Sequence, residues 1–249
     1  MQKIYEVRRR IQSSIANAGM RLDPYGAMRV FQDMTELHAL DLGIDYYSMR
    51  EKSGAFWVVT KMRIHFARAP KEFEEAAVRT WPQAAVHASC PRYYTLETAS
   101  GALVQAKSEW VLLDAEKRTI RRPESTCYPK DFDFCADTVL DAPFQRLHPD
   151  FSKMDKCMTR TILSTDIDMS GHTNNCQYAR FVLDCFPGAF WKENEVQDFE
   201  LHFLRESREG ETLTLYGGAA ADGQMLIAGA NEQGKAVFAA ALRLRPARE

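Results

Sequence analysis

Two carboxylates, a hydroxyl, a glycine and an imidazole fall within seven residues in the stretch Asp166-Ile-Asp168-Met-Ser170-Gly171-His172-Thr-Asn174-Asn175. The segment that follows reads as a helix. A carboxylate such as Asp168 can activate water or attack a carbonyl carbon. Backbone N–H groups near Gly171 and His172, at a helix start, are unpaired donors able to hold an oxyanion. Together these residue types point to attack on an activated acyl group. The same spacing also fits an Asx turn and helix cap built on Asp168, Ser170 and Asn174, with His172 on the rim. Spacing alone leaves both readings open.

The rest of the chain narrows the classes of protein that can carry this stretch. With 249 residues, 45% hydrophobic and 27% charged, it has room for one large domain or two small ones and is not disordered. A net charge of −2 argues against non-specific nucleic-acid binding. The short clusters Arg8-Arg9-Arg10 and Arg121-Arg122 read as solvated strand ends or as surface for an acidic partner. The six cysteines (Cys90, Cys127, Cys135, Cys157, Cys176, Cys185) form no CxxC pair and no zinc-ligand spacing, and no metal is expected. The start of the sequence lacks a signal-peptide apolar run, and no apolar stretch reaches the ~18 residues of a membrane span. The expectation is a cytoplasmic protein with reduced thiols, away from membranes.

Self-similarity then organises the chain. At an offset of 145, Asp23-Pro-Tyr-Gly26 falls on Asp168-Met-Ser-Gly171. At 137, Ile64-His65-Phe66-Ala67-Arg68 falls on Leu201-His202-Phe203-Leu204-Arg205. At 133, Gly101 falls on Gly234, each where a tight hairpin turn belongs. Two units are expected, 1–122 and 153–249, joined by a connector over 123–152 that holds Pro123, Pro129, Pro143 and Pro149 with little periodicity.

Each unit begins with a short strand, a loop and one amphipathic helix. In the first helix Ala27, Val30, Phe31, Met34 and Leu37 share a face, with Gly43 past its end. In the second, Tyr178, Phe181, Val182 and Cys185 do so, and Pro187-Gly188 stops it. Both stripes read as core. Strand-like runs follow at Phe56–Phe66, Glu75–Trp81, Arg92–Glu97 and Ala102–Leu113. The second unit repeats them at Gln197–Arg205, Glu211–Tyr216, Gln224–Ala230 and Lys235–Leu244. One helix against an antiparallel sheet, twice over, is an α+β arrangement with a cleft expected between the units.

With Asp-x-x-Gly-His-x-Asn-Asn at the second helix, this duplicated pattern resembles the acyl-ACP thioesterases of the hot-dog superfamily. The likeness extends to Trp57–Pro70, Val78–Pro82, Arg92–Glu97, Ser108–Asp114 and Phe203-Leu-Arg205-Glu206-Ser207, and so to nearly the whole chain outside the connector. It implies a tandem (double) hot-dog, each unit an antiparallel sheet wrapped around one long helix. It implies hydrolysis of fatty acyl-ACP in fatty acid biosynthesis, without a cofactor, and leaves a homodimer open. Carried over by position, it makes Asp168, Ser170, His172 and Glu206 catalytic. Ser170 stands where the family has Asn and Ser207 where it has Cys, so a thiol nucleophile at that second position is not expected. The first repeat, aligned at offset 145, has Tyr25 and Ala27 against Ser170 and His172. One active site per chain is therefore expected, with the first unit lending walls to an acyl pocket.

On residue chemistry, either Asp168 or Glu206 can activate the water, or Asp168 can attack directly. Gly171 and His172 supply oxyanion donors, and Gly171 lets the carbonyl approach the backbone. His65 and His202, at equivalent repeat positions, read as structural. Asn174 and Asn175 read as caps, and Cys176 and Cys185 as core. Three alternatives compete: an acyl-CoA thioesterase of the same superfamily, a hydratase or dehydratase, and a non-catalytic acyl-binding module. The hydratase pattern places one more residue between its Asp and His than separates Asp168 from His172.

Overall fold

The computed structural model describes residues 2–219 and 223–247. The first repeat contains β1 (Tyr5–Arg10), α1 (Pro24–Asp41), α2 (Tyr46–Ser53), β2 (Ala55–Phe66), β3 (Glu75–Pro82), β4 (Cys90–Thr98), β5 (Gly101–Asp114) and the short β6 (Ile120–Arg121). The second contains β7 (Asp155–Thr161), α3 (Asn175–Leu183), α4 (Phe190–Glu193), β8 (Asn194–Phe203), β9 (Thr212–Ala219), β10 (Met225–Ala230) and β11 (Ala236–Pro246). All eight anticipated strand runs are present, with ends shifted by a few residues. Their alternation of apolar and polar side chains needs one buried and one outer face, which an antiparallel sheet provides.

One antiparallel sheet runs through both repeats in the order β1-β3-β4-β5-β2-β8-β11-β10-β9-β7, with β6 paired to β5. The repeats join where β2 meets β8, in the register Lys61↔His202, Arg63↔Glu200 and His65↔Asp198. The 137-residue offset therefore maps Arg63 onto its own cross-strand neighbour, so a pseudo-two-fold axis passes through that pair. Helices α1 and α3 lie on the inner face. Ala27, Val30, Phe31 and Met34 of α1 and Tyr178, Phe181 and Val182 of α3 are buried against Ile64, Phe66, Phe199, Leu201 and Phe238 in one continuous core. Truncating Phe181 to Ala would cost about 3–5 kcal/mol.

Residues between β6 and β7 form no strand and cross the outer face of the central strands. Arg63 donates from Nη1 to Ala142 O at 2.9 Å and from Nη2 to Pro143 O at 2.6 Å. Gln145 N donates to Glu200 Oε1 at 2.7 Å. Phe144 then lies over the cationic groups of Lys61, Arg63 and Lys107, each 5.0–5.5 Å from the ring centre. This segment staples the two repeats from outside. No described helix is long and apolar enough to cross a membrane.

Four sequence expectations need correction. Leu37 is 46% exposed, because it sits at the margin of the α1 stripe and faces an open cleft instead of the sheet. The second helix stops at Leu183, so Cys185 lies beyond it, half-buried, with its thiol donating to Phe181 O. Helix α2 was not anticipated; its eight residues carry little apolar patterning, and it is set by the Asp45 cap and by Gly54 in the left-handed region at φ 58°.

The fourth correction concerns the repeat alignment before the helices. The bridge Ile167↔Thr173 corresponds to Ala16↔Leu22, and Asp168 N→His172 O to Asn17 N→Arg21 O, both at 2.9 Å. The true offset there is 151, not 145. Asp23 is the counterpart of Asn174, and each caps its helix. Asn17, Gly19, Met20 and Arg21 are the counterparts of Asp168, Ser170, Gly171 and His172. The residue matches at 145 coupled a cap to a turn.

Candidate active site

The loop from Asp166 to Asn174 is held by a buried carboxylate. Asp166, fully buried, accepts from Arg160 Nη2 at 3.1 and 3.2 Å and from Leu163 N at 2.9 Å, and pairs with Arg180. Of the two acids in the motif, this one ties β7 to α3 and is structural. Breaking such a buried pair typically costs about 3–5 kcal/mol. Asp168 begins a tight turn in which Gly171 N donates to Asp168 O at 3.0 Å. Asn174 caps α3, accepting from Cys176 N at 2.9 Å.

Within this turn the functional side chains form a line. Ser170 donates to Asp168 Oδ1 from its backbone N, at 2.8 Å, and from its hydroxyl. Among the described residues nothing engages Asp168 Oδ2. Ser170 Oγ lies 3.4 Å from His172 Nδ1. On the other side of the ring, His172 Nε2 lies 2.9 Å from Glu206 Oε2, an ion-pair approach off the line of a hydrogen bond. Glu206 Oε1 pairs with Arg118, which comes from the first repeat and stacks over Phe56 at 5.1 Å. The four predicted residues thus do come together, and the sequence reading missed the fifth, Arg118. Its sole sequence signal was its place in the turn after Asp114, since the contact crosses 88 residues.

The arrangement sets an imidazole against a carboxylate that Arg118 steadies, beside a second carboxylate with one open oxygen.

The backbone donors require a correction. Gly171 N–H is consumed inside the turn, whereas His172 N–H takes no partner among the described residues. Gly171 is needed for its φ of 78°, and a Cβ there would meet nothing within 4 Å, so close approach is not its role. Ser207 is fully buried; its hydroxyl lies 2.7 Å from Thr173 Oγ1 and 2.9 Å from Tyr178 OH. No base reaches it.

The line of residues opens on a cavity of about 840 Å³. Met28, Phe31, Trp57, Val59 and Met62 of the first repeat supply much of its wall, and the motif and Phe203 of the second close one side. The equivalent place in the first repeat is occupied. A Cβ on Gly19 would lie 2.3 Å from Trp191 O, so backbone of the second repeat fills it. Among the described residues no cluster of His, Cys, Asp and Glu suits a metal ion.

Two helix-on-sheet repeats sharing one sheet, with a cleft lined by both, define a double hot-dog protein. The chain matches the family description "acyl-ACP thioesterase N-terminal domain" over residues 2–128 and "acyl-ACP thioesterase C-terminal domain" over residues 152–240. It belongs to the acyl-ACP thioesterase family. Among solved structures, an acyl-ACP thioesterase from Bacteroides thetaiotaomicron superposes with a TM-score of 0.86 at 18% identity, over 98% of each chain. The 12:0-ACP thioesterase of Umbellularia californica gives 0.81 at 18%, over 99% of this chain and 98% of that one. These likenesses establish the fold.

In sequence the chain is similar to oleoyl-acyl carrier protein thioesterase 2 of Arabidopsis thaliana, 23% identical over 165 residues. It is likewise similar to a palmitoyl-acyl carrier protein thioesterase of Gossypium hirsutum, 26% identical over 161 residues. Each match covers 62% of this chain but only 45% and 39% of the respective plant protein. The chain spans less than half the length of these curated relatives.

Proposed function

We propose that this protein hydrolyses the thioester of fatty acyl-ACP, releasing free fatty acid and ACP in fatty acid biosynthesis. One observation carries the reading: the line Asp168–Ser170–His172–Glu206 lies at the rim of an apolar cavity built mainly by the other repeat. Family membership supports the same substrate class.

A thioester needs little help with its leaving group, because a thiolate has a pKa near 8.5. What it needs is a placed water and a stabilised oxyanion. Asp168 Oδ2 is the open carboxylate oxygen, so it takes the proton of the attacking water. Ser170 fixes the carboxylate through Oδ1. His172 N–H, at the rim, donates to the oxyanion; a donor of this kind is worth about 3 kcal/mol of barrier. The proton that Asp168 takes up is then passed to the departing thiolate as the tetrahedral intermediate collapses. Both oxygens of Glu206 already have partners, which favours Asp168 over Glu206 as the water base.

The acidic carrier is the proposed partner. Arg50, Arg118 and Arg205, all exposed, line the mouth of the cavity and would attract it over a range set by salt. We place the protein in the cytoplasm, a reading supported by six free cysteines. The test is thiol release from matched acyl-ACP and acyl-CoA, comparing wild type with Asp168→Asn. Release from acyl-ACP that collapses in the variant, and falls with added salt, is expected. Tight acyl binding without release from either carrier would leave a lipid-binding module.

A further inference from the structure

The cavity wall holds a cation that no carboxylate of the described residues pairs with. Arg92 of β4 is 5% exposed and lines the cavity together with Tyr94, Cys90, Trp110 and Tyr128. Its Nη1 donates to Thr80 Oγ1 at 3.0 Å and to His38 Nδ1 at 3.2 Å. His38, fully buried, lies 3.0 Å from Gln2 O through Nε2. A carbonyl can only accept, so the proton is on Nε2, and Nδ1 is the neutral acceptor that Arg92 requires. Burial and the adjacent guanidinium hold His38 down at about 4, which keeps it neutral.

Among the described residues no carboxylate pairs with Arg92. Arg63, Arg160 and Arg245, each with under a fifth of its side chain exposed, all hold carboxylates. The Nε–Nη2 edge of Arg92, the fork that fits two carboxylate oxygens, has no partner in the described chain. An all-hydrocarbon chain packed against this edge would strip its water and give nothing back.

The position is right for the far end of a bound acyl chain. Gln32 of α1 meets the motif, where Cys176 Sγ lies 3.2 Å from its Oε1. His38, against Arg92, lies six residues and about 9 Å further along the same helix. From the fork of Arg92 in the wall of this apolar cavity, that distance along α1 from the motif, we infer a subsite for a carboxylate at the distal end of the acyl chain, which makes ω-carboxyacyl thioesters the preferred substrates. The inference rests on the proposed thioester hydrolysis for its turnover arm only.

Two measurements separate the inference from that reading. Free α,ω-dicarboxylic acids and monocarboxylic acids of equal chain length are titrated into the protein, followed by fluorescence of Trp57 and Trp110 in the cavity wall. Hydrolysis of ω-carboxyacyl-ACP and plain acyl-ACP of equal length is compared in parallel. Wild type is expected to favour the ω-carboxylate at least tenfold in Kd and in kcat/KM. Arg92→Met should erase or invert both preferences, and Arg92→Lys should keep part of them. Equal or better binding of the monocarboxylate by wild type overturns the subsite, and that comparison stands even if Arg92→Met fails to fold. Arg92-dependent dicarboxylate binding without hydrolysis of any thioester would retain the subsite and reject the hydrolase reading instead.

Discussion

Arg63 and Glu200 occupy the same position in the two repeats and are also each other's partner, joined Nε to Oε2 at 2.6 Å on the pseudo-two-fold axis. In a symmetric pair of identical units this position would face its own copy, and like charges would meet. Opposite charges there mark the point where the two halves have become different. Glu200 is almost wholly buried and also accepts from Gln145 N and pairs with His202. Arg63→Met alone should therefore cost about 3–5 kcal/mol, since it leaves a buried carboxylate underpaired. Arg63→Met with Glu200→Met should recover much of that loss. Urea unfolding of the two single variants and the double variant gives the coupling.

The same pair gives an acid sensitivity. Burial opposes ionisation of Glu200, but His202, Arg63 and Gln145 outweigh it and hold its pKa below the ordinary 4.5. A carboxylate with a depressed folded pKa contributes stability above its unfolded value and loses it as pH falls through the folded one. Wild type should lose stability below about pH 4.5, and the double Met variant should lose less over that window. Denaturant midpoints from pH 3 to pH 6 check this.

At the active-site rim the line of residues sets a graded order of effects. Asp168→Asn removes the proposed base and should lower kcat by roughly 10²–10⁴-fold. Glu206→Gln removes the carboxylate that faces His172 Nε2 and pairs with Arg118, and should cost less. Arg118→Met leaves Glu206 in place without its clamp, and about a tenfold loss in kcat/KM is expected. Steady-state rates on one acyl-ACP across pH 6–9 rank the three; an Arg118 variant indistinguishable from wild type would remove that residue from the arrangement.

Ser207 separates structure from chemistry. Its buried hydroxyl links Thr173 of the motif to Tyr178 of α3. Ser207→Ala should cost about 1–3 kcal/mol of stability, because two buried hydroxyls lose a partner. Turnover by the folded fraction should stay within a few-fold of wild type. A loss of several orders of magnitude at unchanged stability would instead mean a nucleophile.

Much of this was legible in the sequence because it is local. Period-two alternation named the strands, and Asp168, Ser170 and His172 lie within five residues. Residues that act across the repeats were not legible. Arg118 reaches Glu206, and Arg92 reaches His38, only once the sheet has closed. The repeat was found but slid out of register at its turn. Identity of Asp23 and Asp168 outweighed the hydrogen-bond pattern that equates Asn17 with Asp168, and that pattern has no signature in residue types alone. Leu37 failed for a related reason: helical periodicity finds a stripe, but not whether its margin meets a sheet or an open cleft.

Asp23 offers a route to a more stable protein. It caps α1, accepting from Gly26 N at 2.9 Å, in surroundings that raise its pKa from 3.8 to about 6 through burial. An acid whose folded pKa is raised binds more protons when folded. Its effect is to lower stability as pH rises from about 4 to about 6, and the penalty is complete at neutral pH. Asn accepts the same Gly26 N–H and carries no charge. Asp23→Asn should therefore stabilise the protein at pH 7.5, by about 1 kcal/mol given the partial exposure of the side chain, and have almost no effect at pH 4. Denaturant midpoints of the two proteins at both pH values decide it; equal stabilisation at both would show that cap strength, not ionisation, is responsible.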